Sequence, residues 1–200
     1  MANTTEPLFT ADWSGPRSYW PDMFAELGLA GKPDLRFLEV GCFEGMTTLW
    51  LIDNILTDES SSITVVDTFE GSPEFDQFGI DTTDLLGRFM RNVGGHVDSG
   101  KVVVEVGQSQ QRLRTLDGLF DFVYVDGGHL AVEALTDAVL CWPLLRPGGM
   151  MVFDDYRWRP DPSASAWRIP KLGLDAFRQV FAEQLTVRLD DYQLVVEKNP

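Results

Sequence analysis

The residues with the most chemistry in them lie in the stretch Arg36-Phe-Leu-Glu-Val-Gly-Cys-Phe-Glu-Gly-Met46. It reads as a short apolar strand ending near Val40, a turn carrying Gly41 and Gly45, and a helix starting at Met46. Such a turn leaves unpaired backbone N–H groups at the helix start, and its glycines let a ligand lie directly on the main chain. The spacing selects the ligand. A dinucleotide fold uses G-x-G-x-x-G to admit a pyrophosphate, whereas this chain has E-x-G-x-x-x-G with Glu39 at the strand tip and Glu44 in the turn. Two carboxylates repel a pyrophosphate and suit a ligand bearing an ammonium and a sulfonium. Asp67, closing the next apolar run, stands where an acid accepts hydrogen bonds from a ribose diol; a strand-end aspartate also serves as a helix cap.

The elements that must position these groups alternate along the chain. The spacing predicts helices over 18–27 and 46–56, a strand at 62–67, and a loop over 69–79 leading to a helix over 82–93. Further strands are expected at 101–106, 120–126 and 150–155. Between them fall a short helix reaching Leu116 and a longer one from His129 to about Leu145, ended by Arg146-Pro-Gly-Gly149. A helix over 171–185 and a closing hairpin from Thr186 to Glu197 follow. Phe120-Asp-Phe-Val-Tyr-Val-Asp126 is almost continuously apolar, as expected of a parallel strand covered on both faces. The alternation implies a doubly wound Rossmann-like α/β sheet in one domain spanning 1–200, with residues 1–30 as an N-terminal cap segment.

Composition bounds the function. Two hundred residues with 44% hydrophobic content suit a single core. No apolar run approaches the roughly 20 residues that span a bilayer, and the polar start has no secretory pattern, so a cytoplasmic protein without membrane contact is expected. Cys42 and Cys141 fall in different elements and form no disulfide framework or metal knuckle, in keeping with a reducing compartment. The net charge of −15 argues against nucleic acid as a partner.

Four features occur in order: E-x-G-x-x-x-G, the strand-end Asp67, Phe-Asp-Phe-Val-Tyr-Val-Asp-Gly-Gly-His, and Leu-Leu-Arg-Pro-Gly-Gly-Met-Met-Val-Phe-Asp-Asp-Tyr. Over residues 36 to 156 the chain resembles the class I S-adenosylmethionine (SAM) dependent methyltransferases, in particular the small O-methyltransferases of natural products and sugars. The resemblance implies a seven-stranded sheet with its last strand antiparallel and SAM as the cofactor. It assigns Glu39, Gly41, Cys42, Phe43 and Gly45 to the cofactor turn, Asp67 and Thr68 to the ribose, Gln108 and Ser109 to the adenine, and Asp126 to the cleft between cofactor and acceptor. In some relatives acids at the ends of strands four and five bind a divalent cation, and Asp126, Asp154 and Asp155 occupy those positions, making Mg2+ a candidate. Three converging carboxylates repel one another unless a cation or a proton sits among them. His129 stands where catechol-type relatives carry a base, and a group titrating near neutral pH can take the proton of an attacking hydroxyl; a histidine at a helix start otherwise caps or packs.

The segment 156–172 departs from the metal-dependent enzymes. Arg157, Arg159, Arg168 and Lys171 stand there against one acid, Asp161, and arginine forks suit phosphonate or carboxylate oxygens. With Tyr19 this gives a resemblance to phosphonate O-methyltransferases of the dehydrophos type in antibiotic biosynthesis. In that version Tyr19, Arg159, Arg168 and Lys171 hold an ionised acceptor in line with the methyl group, and no base is required. The acceptor is then a small anionic metabolite. The resemblance, with aromatic residues in the cap and the basic loop, also implies a homodimer. The rival classes are a nicotinamide-dependent oxidoreductase, opposed by the wide glycine spacing and Glu44, and a SAM-binding protein without catalysis.

Overall fold

The computed structural model describes residues 6–72, 75 and 78–200. Part of the 69–79 loop and the first five residues therefore lie outside the described residues. Seven strands form one sheet: β1 (Arg36–Val40), β2 (Ser62–Asp67), β3 (Val102–Val106), β4 (Phe120–Val125), β5 (Leu145–Phe153), β6 (Leu185–Asp190) and β7 (Leu194–Lys198). Their order is β3-β2-β1-β4-β5-β7-β6. β1 pairs in parallel with both β2 and β4, while β7 runs antiparallel to its neighbours β5 and β6. The chain starts at the middle of the sheet with β1, builds outward to β3, and returns across β1 to β4. That reversal leaves a crevice above the carboxyl ends of β1 and β4, where ligands of open α/β sheets bind.

The helices α1 (Trp20–Leu27), α2 (Met46–Asn54), α3 (Leu85–Asp98), α4 (Ser109–Arg112), α5 (Ala131–Cys141) and α6 (Pro170–Val180) cover the two faces. Period-two alternation in β4 divides the core. Phe122 and Tyr124 pack with Trp20, Phe24 and Phe37 on one face. Val123 and Val125 pack with Ala138, Trp142 and Phe177 on the other. Trp20 meets Tyr124 edge-on at a centroid distance of 5.1 Å, a favoured aromatic geometry. Burial of each such ring contributes roughly 2–3 kcal/mol.

The structure shifts several expected boundaries. Arg146-Pro-Gly-Gly149 was expected to end a helix, yet β5 already begins at Leu145 and Leu145 pairs with Phe120. The preceding helix stops at Cys141, and a 3-10 turn over Trp142–Leu144 makes the corner. Pro170 opens α6 at a position that requires no N–H, one residue before the expected start; the helix ends at Val180. α3 begins at Leu85, after Asp84 adopts a left-handed backbone (φ 54°), and runs on to Asp98 instead of ending near Val93. Among the described residues, no helix is long and apolar enough to cross a membrane.

Candidate active site

A cleft of about 770 Å³ opens above the carboxyl ends of β1, β2, β4 and β5. Its first half is the turn after β1. Gly41 (φ +81°) lies so close to the next chain that an added Cβ would stand 1.9 Å from the Asp126 carbonyl oxygen. Only glycine fits there. Asp67 fixes the turn from β2: one carboxylate oxygen accepts from the N–H groups of Cys42 (2.7 Å) and Phe43 (3.0 Å), and the other from Phe69 N–H (2.7 Å). Phe43 holds a left-handed backbone (φ 49°), a strained conformation of the kind that persists where surroundings enforce it. Its ring contacts Trp13 and Phe75, each at 5.1 Å between centroids, roofing the cleft with apolar surface.

Glu39 is fully buried beneath this turn. Thr48 Oγ1 donates to its Oε2 at 2.6 Å, whereas Oε1 has no hydrogen-bond partner. Burial pushes its carboxyl up to about 8, against a smaller opposing pull from Thr48 and Arg17. A buried carboxylate with an orphan oxygen on a cleft wall fits an ammonium group, so the residues present suit the amino-acid end of SAM.

The second half is acidic. Asp126 follows β4; Asp154 and Asp155 follow β5. Tyr124 donates to Asp154 Oδ2 at 2.5 Å and lies 3.2 Å from Asp126 Oδ2, while Gln193 Nε2 donates to Asp154 Oδ1 at 2.6 Å. Both oxygens of Asp154 are thereby engaged. Asp155, with a left-handed backbone (φ 53°), accepts from the Tyr192 hydroxyl and faces His129 Nε2 at 3.1 Å. The His129 ring stacks on Trp158 at 4.6 Å. Burial, then the charges of Asp154 and Asp155, push the Asp126 carboxyl well above its ordinary range; burial and Asp155 raise Asp154 as well. Ligand atoms of Asp126, His129 and Asp155 all lie within 4.8 Å of one another.

The sequence candidates separate accordingly. Every cofactor candidate except Gly45 lines the cleft; Gly45 sits behind the turn, where an added Cβ would meet Val93 at 2.9 Å. Of the expected metal set, Asp126 and Asp155 converge and His129 joins them, while Asp154 is bonded to Tyr124 and Gln193. Of the expected anion clamp, Arg168 alone reaches the cleft. Lys171 bonds Asp175 and the Tyr156 hydroxyl at 2.7 Å each, Arg157 pairs with Asp190 at 2.9 Å, and Arg159 is exposed. Tyr19 donates to Gln193 Oε1 at 2.6 Å, and burial raises its phenol. Glu44 corrects an expectation: it does not line the cleft but is buried against Arg88 (2.7 Å) and accepts from Thr10 N–H (2.7 Å) and Oγ1 (2.8 Å). It ties the N-terminal segment to α3, so of the two motif acids only Glu39 lines the cleft. Sequence reasoning missed Tyr124, although its place two residues before Asp126 on one strand puts both on the same side. It also missed Tyr192, Gln193 and Arg17, which come from distant segments without a local motif.

A sequence model of the methyltransferase-domain family matches residues 38–156. The fold and cleft define a methyltransferase-type α/β protein, and the chain belongs to that family. It is 30% identical over 158 residues to the O-methyltransferase hkm8 of Aspergillus hancockii, covering 78% of this chain but 57% of that relative's length. Among solved structures it resembles the O-methyltransferase TomG of Streptomyces achromogenes, involved in tomaymycin synthesis and crystallised with SAM. The TM-score is 0.66 at 18% identity, over 94% of this chain and 82% of that one. It also resembles MycE of the mycinamycin pathway, solved with Mg, S-adenosylhomocysteine and mycinamycin VI: TM-score 0.60 at 16% identity, over 96% of this chain and 51% of that one.

Proposed function

We propose that this chain is a SAM-dependent O-methyltransferase acting on a hydroxyl of a small molecule, with a divalent cation at the acidic half of its cleft. The observation that carries the cation is the convergence of Asp126, Asp155 and His129 within 4.8 Å. Asp126 and Asp155 would hold it, a two-carboxylate set of the kind Mg2+ uses alongside water and substrate oxygens. When bound, it neutralises the crowded carboxylates and lowers the pKa of the acceptor hydroxyl. MycE, solved with Mg, supports the same reading.

The chain's own residues supply the rest. Glu39 takes the ammonium of SAM, and Asp67 retains acceptor capacity for the ribose while pinning the turn. Trp13, Phe43 and Phe75 exclude water from the donor side. The acceptor oxygen attacks the methyl carbon in line with the departing sulfur, and the carbon–sulfur bond breaks as the carbon–oxygen bond forms. Orientation dominates the rate of such a displacement. His129 takes the hydroxyl proton, and Asp155, whose Oδ2 lies 3.1 Å from its Nε2, stabilises the imidazolium that forms. An anionic acceptor of phosphonate or carboxylate type, met by Arg168 alone of the four basic residues, is the second reading. A place in natural-product biosynthesis accords with the tomaymycin and mycinamycin pathways of TomG and MycE. A reducing cytoplasm accords with the free thiols of Cys42 and Cys141, and a homodimer with the exposed Trp13 and Trp167.

The test is turnover of methyl-labelled SAM with a panel of hydroxylated acceptors after EDTA treatment. Loss of transfer, restored by Mg2+, is expected. Undiminished transfer in EDTA removes the cation and leaves the Arg168 reading.

A further inference from the structure

The mechanism above leaves one buried cation without work. Arg17 closes a 3-10 turn (Gly15–Arg17) just before α1 and is only 7% exposed. Its guanidinium donates to Thr47 Oγ1 at 2.8 Å and lies 6.0 Å from the centre of the Trp20 ring. Among the described residues, no carboxylate comes within ion-pair distance of it. A buried arginine without a counter-ion is costly, and removing a guanidinium from water is repaid when its donors meet an anion. Arg17 borders the cleft on the wall that also carries Glu39, whose Oε1 is the orphan oxygen described above. The acids whose field it feels are Glu39 and the exposed Asp12, and Asp12 is already occupied by Ser14.

One wall of the cleft thus presents a buried guanidinium and a buried carboxyl group, each short of a partner. A lone anion would satisfy the first and leave the orphan oxygen of the second unmet; a lone cation would pair with the ionised second and be repelled by the first. A zwitterion of α-amino-acid type satisfies both. Building on the SAM reading, we propose that Arg17 is a cofactor-positioning residue that binds the α-carboxylate of SAM while Glu39 binds its ammonium. The Thr47 hydroxyl, at the start of α2, holds the guanidinium in place, so the N-terminal segment is coupled to cofactor binding. The pair then acts as a selectivity device. A nucleoside thioether lacking the amino-acid end, or one lacking only the carboxylate, fills the adenine and ribose positions yet leaves Arg17 buried and unpaired. Such a penalty gives rejection of the missing-group analogue.

The experiment is calorimetry with S-adenosylhomocysteine, with its analogue lacking only the α-carboxylate, and with 5′-methylthioadenosine, on the wild type, R17Q and R17K. The expected result is a roughly 10- to 100-fold loss of S-adenosylhomocysteine affinity in R17Q. R17K should recover part of it, and the carboxylate-free analogue should bind R17Q within about threefold of the wild type. A thermal melt of each variant confirms folding. An R17Q variant that loses affinity equally for all three ligands has a general packing defect, and one that loses none has no carboxylate contact; either overturns the proposal. Wild-type protein that binds none of the ligands refutes the SAM reading itself, a distinct outcome.

Discussion

Two groups of acids stand at the same edge of one sheet, and their surroundings differ. Asp67, at the end of β2, gathers three backbone N–H groups at 2.7, 3.0 and 2.7 Å, so its charge is already compensated by the protein. Asp126, Asp154 and Asp155, at the ends of β4 and β5, face one another, and two of them are held toward protonation by burial and mutual repulsion. Clustered, buried carboxylates disfavour their charged forms. The turn that Asp67 pins is therefore fully bonded before any ligand arrives, while Glu39 beneath it keeps an orphan oxygen. The acceptor half is a set of charges that a cation or a transferred proton would complete.

Breaking the acceptor half should have the larger effect on turnover. Asp155 is the residue where the proposed cation would meet His129 and Tyr192. D155N should lower kcat by about 10²–10³-fold, the several kcal/mol expected of a lost metal-site charge, while leaving S-adenosylhomocysteine affinity within about threefold. Steady-state kinetics beside calorimetry separates the two quantities. A matched loss of affinity would mean that the two halves are not independent. The reciprocal substitution, D67N, replaces an acceptor by an amide facing three N–H donors. It should weaken S-adenosylhomocysteine by about 10–100-fold, and kcat at saturating SAM should fall far less than in D155N. Unchanged affinity in D67N would show that the turn holds its shape without the carboxylate.

The difference between the halves also explains what the sequence could reveal. The donor half is built from one contiguous turn and the next strand end, so the motif and the family resemblance it carries named Glu39, Gly41, Cys42, Phe43 and Asp67, all of which line the cleft. Strand boundaries followed because β1, β2 and β4 are apolar runs with sharp polar ends, and the observed limits fall within a residue of those expected. The acceptor half is assembled from β4, β5 and the β6–β7 hairpin, and no linear pattern connects Tyr192 or Gln193 to Asp155 or Asp154. Charge counting in the 156–172 segment could not see, for the same reason, that Arg157 and Lys171 are engaged by Asp175, Asp190 and Asp191, which lie later in the chain but adjacent in the fold, while Arg168 lines the cleft. Glu44 shows the complementary error: a carboxylate inside a ligand-binding motif was claimed by Arg88, 44 positions away, and by the N-terminal segment.

The smallest effect tests whether the donor half is wholly compensated, because Glu39 is its exception. With its carboxyl pushed up to about 8 by burial, Glu39 is largely protonated at neutral pH in the free protein. Pairing with the ammonium of SAM requires it to ionise, so binding releases a proton below about pH 8. In the free protein, a buried acid with a raised pKa gives stability that is fully present below its ordinary value near 4.5 and is lost as pH rises through about 8. Ligand reverses that loss, and the thermal shift produced by saturating S-adenosylhomocysteine should therefore grow between pH 6 and 8 and then level off. Calorimetry at pH 7 in two buffers of different ionisation enthalpy should report release of up to about one proton. In E39Q the release should vanish and the thermal shift should become flat with pH, with affinity falling by about tenfold or less at pH 6 and by more at pH 8. A wild-type protein that takes up no charge change on binding would place Glu39 among the compensated acids, and the contrast between the two halves would then be complete.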